Sequence, residues 1–168
     1  MKKFLSFILT AVLIFSMQTV IVFGKTVSNP KVDSVEVEYF EDGTCCVTVI
    51  ESVPTDVRMT GVGAVIPLST KTETKSKTQY MRDDSGVVLW YVKVTGTFTY
   101  GGGSAKCTSV TPSATAVGST WKVSNISGSK SGNKASATAT GKQYVDGVVT
   151  QSMTRTVTLT CSPTGVFS

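Results

Sequence analysis

No histidine occurs anywhere in the 168 residues, and that absence alone removes the Ser-His and Cys-His nucleophile arrangements and every imidazole metal ligand. Cysteine is nearly as scarce. There are four, Cys45, Cys46, Cys107 and Cys161, and none stands in a C-x-x-C spacing. Tetrahedral zinc sites normally separate paired ligands by about two to four residues, whereas the adjacent Cys45 and Cys46 splay apart. The same spacing rules out a thioredoxin-like redox motif. Leucine is rare after the first fifteen residues and no stretch has helical periodicity. The Gly61-Val62-Gly63 step completes no dinucleotide loop. Ser127-x-x-Lys130 matches the start of a serine-acylase signature but lacks its S-D-N and K-T-G partners. Asp83 and Asp84 precede Ser85-Gly86 and read as a turn rather than a carboxylate pair. The expectation is a protein with no catalytic residues, no cofactor and no metal.

What is present starts with a targeting segment. Lys2 and Lys3 open the chain, Phe4 to Phe15 is almost unbroken apolar sequence, and small residues follow as far as Gly24. That layout predicts a signal peptide over residues 1–24, cleaved after Gly24, with an uncleaved anchor over Phe4 to Phe23 as the alternative. The mature chain, residues 25–168, is then one exported domain with a net charge of +3. Its charge is uneven. Residues 25–60 carry −4, the remainder +7. This divides the domain into an acidic N-terminal hairpin with linker (25–66) and a basic β body (67–168). A basic exported body suits an anionic cell-wall polymer, a glycan or an extracellular protein. The scattered lysines, not interleaved with stacking aromatics, do not suit nucleic acid. A membrane is involved only through the signal segment, if it is retained.

Alternation dominates the mature chain. Val35, Val37 and Tyr39 share one face and Glu36 and Glu38 the other; after the Glu41-Asp42-Gly43 turn, Cys45, Val47 and Val49 are expected to continue an inward face. Pro54 to Pro67 reads as a linker or irregular strand. In the next strand Lys71, Glu73, Lys75 and Lys77 share a face, a pattern that blunts sheet edges. The strongest strand follows, with Trp90, Val92, Val94, Phe98 and Tyr100 on one face and Tyr91, Lys93 and Thr95 on the other. Gly101 to Ser104 reverses it, and the Gly/Ser-rich stretch Ser127 to Asn133 predicts another turn. Ala135, Ala137 and Ala139 then alternate with hydroxyl residues, small enough to face a tryptophan. Asp146-Gly147 makes the last turn before Val157, Leu159 and Cys161. Roughly eight strands with Gly-rich turns predict an all-β fold, an antiparallel β-sandwich.

Four cysteines allow three pairings. Cys107–Cys161 is the favoured staple, closing a loop of about 55 residues worth roughly 4 kcal/mol in an oxidising compartment. The pair Cys45 and Cys46 is left open between a strained vicinal disulfide, crossed bridges into the body, free thiols, and an outward Cys46 joined to another chain. Tyr91 with Lys93 beside it is the candidate ligand-binding pair, able to stack on a sugar or hold an acidic partner. The turn tips Gly101–Ser104 and Ser127–Asn133 are further candidates.

Two resemblances bear on these residues. Cys107, Trp121 and Cys161 have about the Cys…Trp…Cys spacing of immunoglobulin domains, though Leu159 stands where the corner tyrosine would be, so the likeness is a loose architectural one. The blocks "LWYVKVTGTFTYGGGSAKCTSV", "WKVSN", "SKSGNKASATATGKQYVDGVV" and "TVTLTCSPTG", from about Thr78 to the end, resemble a family of small secreted β-rich proteins of Gram-positive bacteria. That resemblance implies export and a β-fold, and brings no activity and no site residues; Cys45 and Cys46 lie outside it. The functional expectation is a secreted, non-enzymatic binding module at the cell surface. The alternative is a structural or self-associating protein with contacts through the N-terminal hairpin or Cys46.

Overall fold

The computed structural model describes residues 30–53 and 70–168. The signal segment and the whole of the Pro54 to Pro67 linker lie outside the described residues. Among the described residues the protein is all-β: β1 (Lys31–Tyr39), β2 (Cys45–Ser52), β3 (Lys71–Arg82), β4 (Val88–Gly101), β5 (Ser104–Ala116), β6 (Trp121–Ser131), β7 (Lys134–Val145) and β8 (Val148–Thr160). They form two antiparallel sheets, β1-β2-β3-β4-β5 and β6-β7-β8, each with its strands in chain order. Hairpin chemistry sets the connections. Asp146 and Gly147 both take positive φ (50° and 80°), which a tight two-residue hairpin turn of matching twist requires.

The period-two pattern of β4 sets the core. Trp90, Val92, Val94 and Phe98 are fully buried and Tyr100 nearly so, while the alternating residues Tyr91, Lys93, Thr95, Thr97 and Thr99 stay half-buried. The second sheet presents Ala135, Ala137, Ala139, Val157, Leu159 and Cys161 to the same cluster. Trp90 is the tryptophan that meets the small residues of β7: its indole lies against Gly141 and stacks on Trp121, with centroids 6.5 Å apart. At the other end Phe167 packs edge-on against Phe98 and Tyr100. The Tyr100 hydroxyl donates to Glu73, and this acceptor, more than burial, pushes the phenol up to about 12.

Four expectations change. The lysine-bearing strand β3 is interior, between β2 and β4. Its charged face is made tolerable by partners: the Lys75 ammonium is 2.5 Å from Asp33, donates to Ser52 and lies 5.4 Å from the centre of the Phe167 ring. The faces of the first hairpin are inverted. Cys46 (3% exposed) and Ile50 (4%) enter the core, whereas Val35, Val37, Cys45, Val47 and Val49 line the opposite face. The second sheet packs on the side of the five-stranded sheet to which Cys46 and Ile50 turn, with its strands against β3, β4 and β5, so the valine face, on the other side, finds no second layer among the described strands. The stretch Ser127 to Asn133 is mostly strand; β6 runs to Ser131 and only Gly132-Asn133 turns. This also puts Ser127 and Lys130 on opposite faces, which dissolves the S-x-x-K spacing. Finally, Trp121 stacks on Trp90 at the start of β6, while Cys107 is bonded to Gly132 beyond its end. The immunoglobulin arrangement of a tryptophan packed on the cysteine pair is therefore not formed.

Candidate functional site

Register brings the sequence candidates together on the outer face of the five-stranded sheet. Tyr91 of β4 stands directly across from Tyr80 of β3, and the rings meet at 5.5 Å with a 49° tilt. The Arg82 guanidinium lies 6.0 Å from the centre of the Tyr80 ring, and Tyr80 is in turn opposite Val47 of β2. Burial, with the nearby Glu51 carboxylate adding to it, raises the Tyr80 phenol above its ordinary range. Lys93 follows on β4, half-buried and 3.9 Å from Glu51 of β2. The ammonium proposed from sequence for an acidic ligand therefore already has an acidic neighbour.

The apolar surface continues outward from this aromatic pair. Val47 pairs with Val37 and Val49 with Val35 on the edge strand β1. Val35 is 45% exposed, Val37 46% and Tyr39 78%. All nine residues of β1 are exposed and its outer edge has no strand partner among the described residues. An edge of this kind offers a row of free backbone N–H and C=O groups. Sequence reading finds Tyr91 but misses Tyr80 and the valines, because which residues oppose each other is a matter of register. The alternation of "SVEVEY" is the available signal; it marks an apolar face without saying that nothing lies over it.

The cysteines separate into two groups. All four are buried free thiols, so the expected Cys107–Cys161 bond is not formed. Their thiols turn toward backbone carbonyls, Cys107 toward Ser109 and Cys161 toward Ser162. Burial pushes the thiols of Cys46, Cys107 and Cys161 above their ordinary range. The backbone N–H groups of Cys107 and Cys161 are nonetheless held by the consecutive carbonyls of Gly132 and Asn133. Cys46, by contrast, reaches the level of Trp90 through Met81, eight residues along β4 from Phe98, the partner of Cys107. At about 3.4 Å per residue that is roughly 27 Å, which removes the crossed bridges. Non-reducing peptide mapping of protein unfolded under an alkylating agent is expected to show no peptide joining residues 45–46 to Cys107 or Cys161. One such linkage at high yield would contradict this placement. In the native state Cys46 and Cys161 should react with a bulky thiol reagent orders of magnitude more slowly than in denaturant.

The turn candidates are simpler. Asp83 accepts from the Val87 N–H and the Ser85 hydroxyl, bonds that lower its carboxyl below the usual range and identify it as turn chemistry. Gly102 and Gly103 form an exposed tip. Where β5 and β6 part, an open hollow of about 400 Å³ is lined by Lys106, Cys107, Thr108 and Lys130, and the Lys130 ammonium spans it to the Thr108 carbonyl. Among the described residues no three of the Cys, Asp and Glu side chains lie close enough to hold a metal ion, and no helix is long and apolar enough to cross a membrane. Searched against known protein families, curated proteins and solved structures, the chain finds no match in any of the three.

Proposed function

We propose that the chain is a secreted, non-enzymatic binding module of β-sandwich form acting at or near a bacterial cell surface. Its recognition surface is the outer face of β1–β4 together with the open edge of β1. The exposed apolar run Val35, Val37 and Tyr39, continuous with Val47, Tyr80 and Tyr91, carries this reading. Large contiguous apolar surface on an exported domain marks an interaction site. The fitting partner is an extended segment of an extracellular protein that adds to β1, apolar on the valine side and basic toward Glu36 and Glu38. The leader-like residues 1–24 support export. The lack of histidine and the burial of the thiols support a non-enzymatic role.

The open edge of β1 also favours a second reading, self-association of two copies through the same strand. Contact through Cys46 loses its support, since that thiol faces the core. The test is a triple substitution, Val35→Thr, Val37→Thr and Tyr39→Ser, all at exposed positions where stability should change by only about 0.5 kcal/mol each. Cell-associated protein is expected to fall about tenfold, with the variant released into the medium. Unchanged association would sink the proposal. Light scattering over a range of concentrations separates the readings: a monomer fits the binding module, and a dimer abolished by the triple change fits self-association.

A further inference from the structure

The opposite side of the molecule, the outer face of the three-stranded sheet, has a different chemistry. Lys122 of β6 stands directly across from Lys142 of β7, with Ser152 of β8 completing the row. Like charges placed opposite each other on a sheet repel, and neither lysine has a carboxylate within ion-pair distance among the described residues. The Lys122 ammonium is instead held 4.8 Å from the centre of the Tyr144 ring. Between residue 121 and the C-terminus the sequence carries five basic residues and a single acid, Asp146. At the far end the row Ser131, Lys134 and Thr160 places a third lysine on the same face.

Every paired outward position between these two rows is a serine or a threonine. Across β7 and β8 the hydroxyls bond to one another at 2.8 to 2.9 Å, which fixes their positions. On β6 the Ser124 hydroxyl is buried without a hydrogen-bond partner among the described residues, and the open hydroxyls of that strand are those of Ser127 and Ser129. Lys134 and Lys142 are eight residues apart on one strand, roughly 27 Å. Dense hydroxyls with sparse, unpaired cations match a polymer whose contacts are mostly hydroxyl to hydroxyl, with negative charge at intervals. A nucleic acid or polyphosphate, charged at every unit, calls for a denser row of cations.

We propose that this face binds a linear anionic polysaccharide bearing carboxylates, laid along the strands. Lys122, Lys142 and Lys134 pair with its carboxylates, Tyr144 stacks at one end, and the threonine rows meet the sugar hydroxyls. The site is separate from the apolar surface of the other sheet, so each reading fails or stands alone.

Polygalacturonate serves as the probe, with neutral dextran and polyphosphate as comparisons, in affinity electrophoresis or calorimetry. Polygalacturonate is expected to bind more tightly than either comparison, and less tightly as salt rises from about 50 to about 500 mM. Lys122→Gln with Lys142→Gln should weaken binding about tenfold, the loss of two charge-assisted contacts. Thr138→Val with Thr156→Val keeps shape and charge while removing one bonded hydroxyl pair, and should weaken it about threefold. Lys106→Gln with Lys130→Gln, at the seam hollow, should leave it unchanged, as should the β1 triple substitution. The proposal is overturned by absent binding, by equal affinity for polyphosphate, or by an equal loss in the seam variant, which would mean that net charge alone is responsible.

Discussion

Trp90→Ala is expected to remove about 3–5 kcal/mol of folding stability, the largest loss available to a single side chain in this protein. The residue is fully buried, at the level where β3, β4, β6 and β7 converge. Its removal strips the stacking partner from Trp121 and empties the space over Gly141 at one stroke. The neighbours fill that space poorly, because β7 offers only Ala139 and Gly141 there and is itself paired on both edges, by β6 and β8. Against a domain stability of about 5–15 kcal/mol the loss consumes a large fraction, and the midpoint of thermal unfolding should fall by on the order of 10 °C. Trp90→Phe sharpens the assignment. The indole N–H is buried without a hydrogen-bond partner among the described residues, so phenylalanine discards an orphaned donor while keeping an aromatic body. It should cost well under half as much as alanine. Circular dichroism melts of the two variants decide the matter; equal losses would mean that ring volume over Gly141 is not what Trp90 contributes.

The inward face of β4 and the alanine face of β7 are legible in the sequence alone, because each has a single apolar face and a strict period of two. β2 is not legible in the same way. Both of its faces are apolar, Cys45-Val47-Val49 on one and Cys46-Ile50 on the other, and alternation cannot say which of two apolar faces meets a second layer. That depends on which side of the five-stranded sheet β6, β7 and β8 pack, a property of strands much later in the chain. The lysines of β3 mislead for a related reason. A charged strand reads as an edge unless the partners that neutralise it, here Asp33 and Ser52 from the first hairpin, are already in place. Candidate sites are legible only as single residues. Tyr91 stands out in its strand, but Tyr80 becomes its partner through the register of β3 on β4, and Lys122 meets Lys142 through that of β6 on β7. Neither register leaves a mark in local sequence.

Gly141 supplies the sharpest test of the packing between the sheets. Its backbone has an ordinary strand conformation, outside the left-handed region, so no conformational need for glycine exists there. In an open strand, replacing it by alanine would add about 0.5–1 kcal/mol of stability by reducing chain entropy. Here a Cβ would stand 2.7 Å from Cδ2 of Trp90, inside van der Waals contact with a ring that is also stacked on Trp121. Gly141→Ala is therefore expected to reverse sign and cost about 1–3 kcal/mol, with Gly141→Val worse. The cause can be isolated by combining it with Trp90→Leu, which withdraws the offending ring edge. In that background the added methyl should be neutral or stabilising, giving a favourable coupling of at least about 1 kcal/mol in a double-mutant cycle. If the two substitutions simply add, the indole is not what reserves this position for glycine, and the close approach of β4 and β7 at Trp90 is not what limits the side chain there.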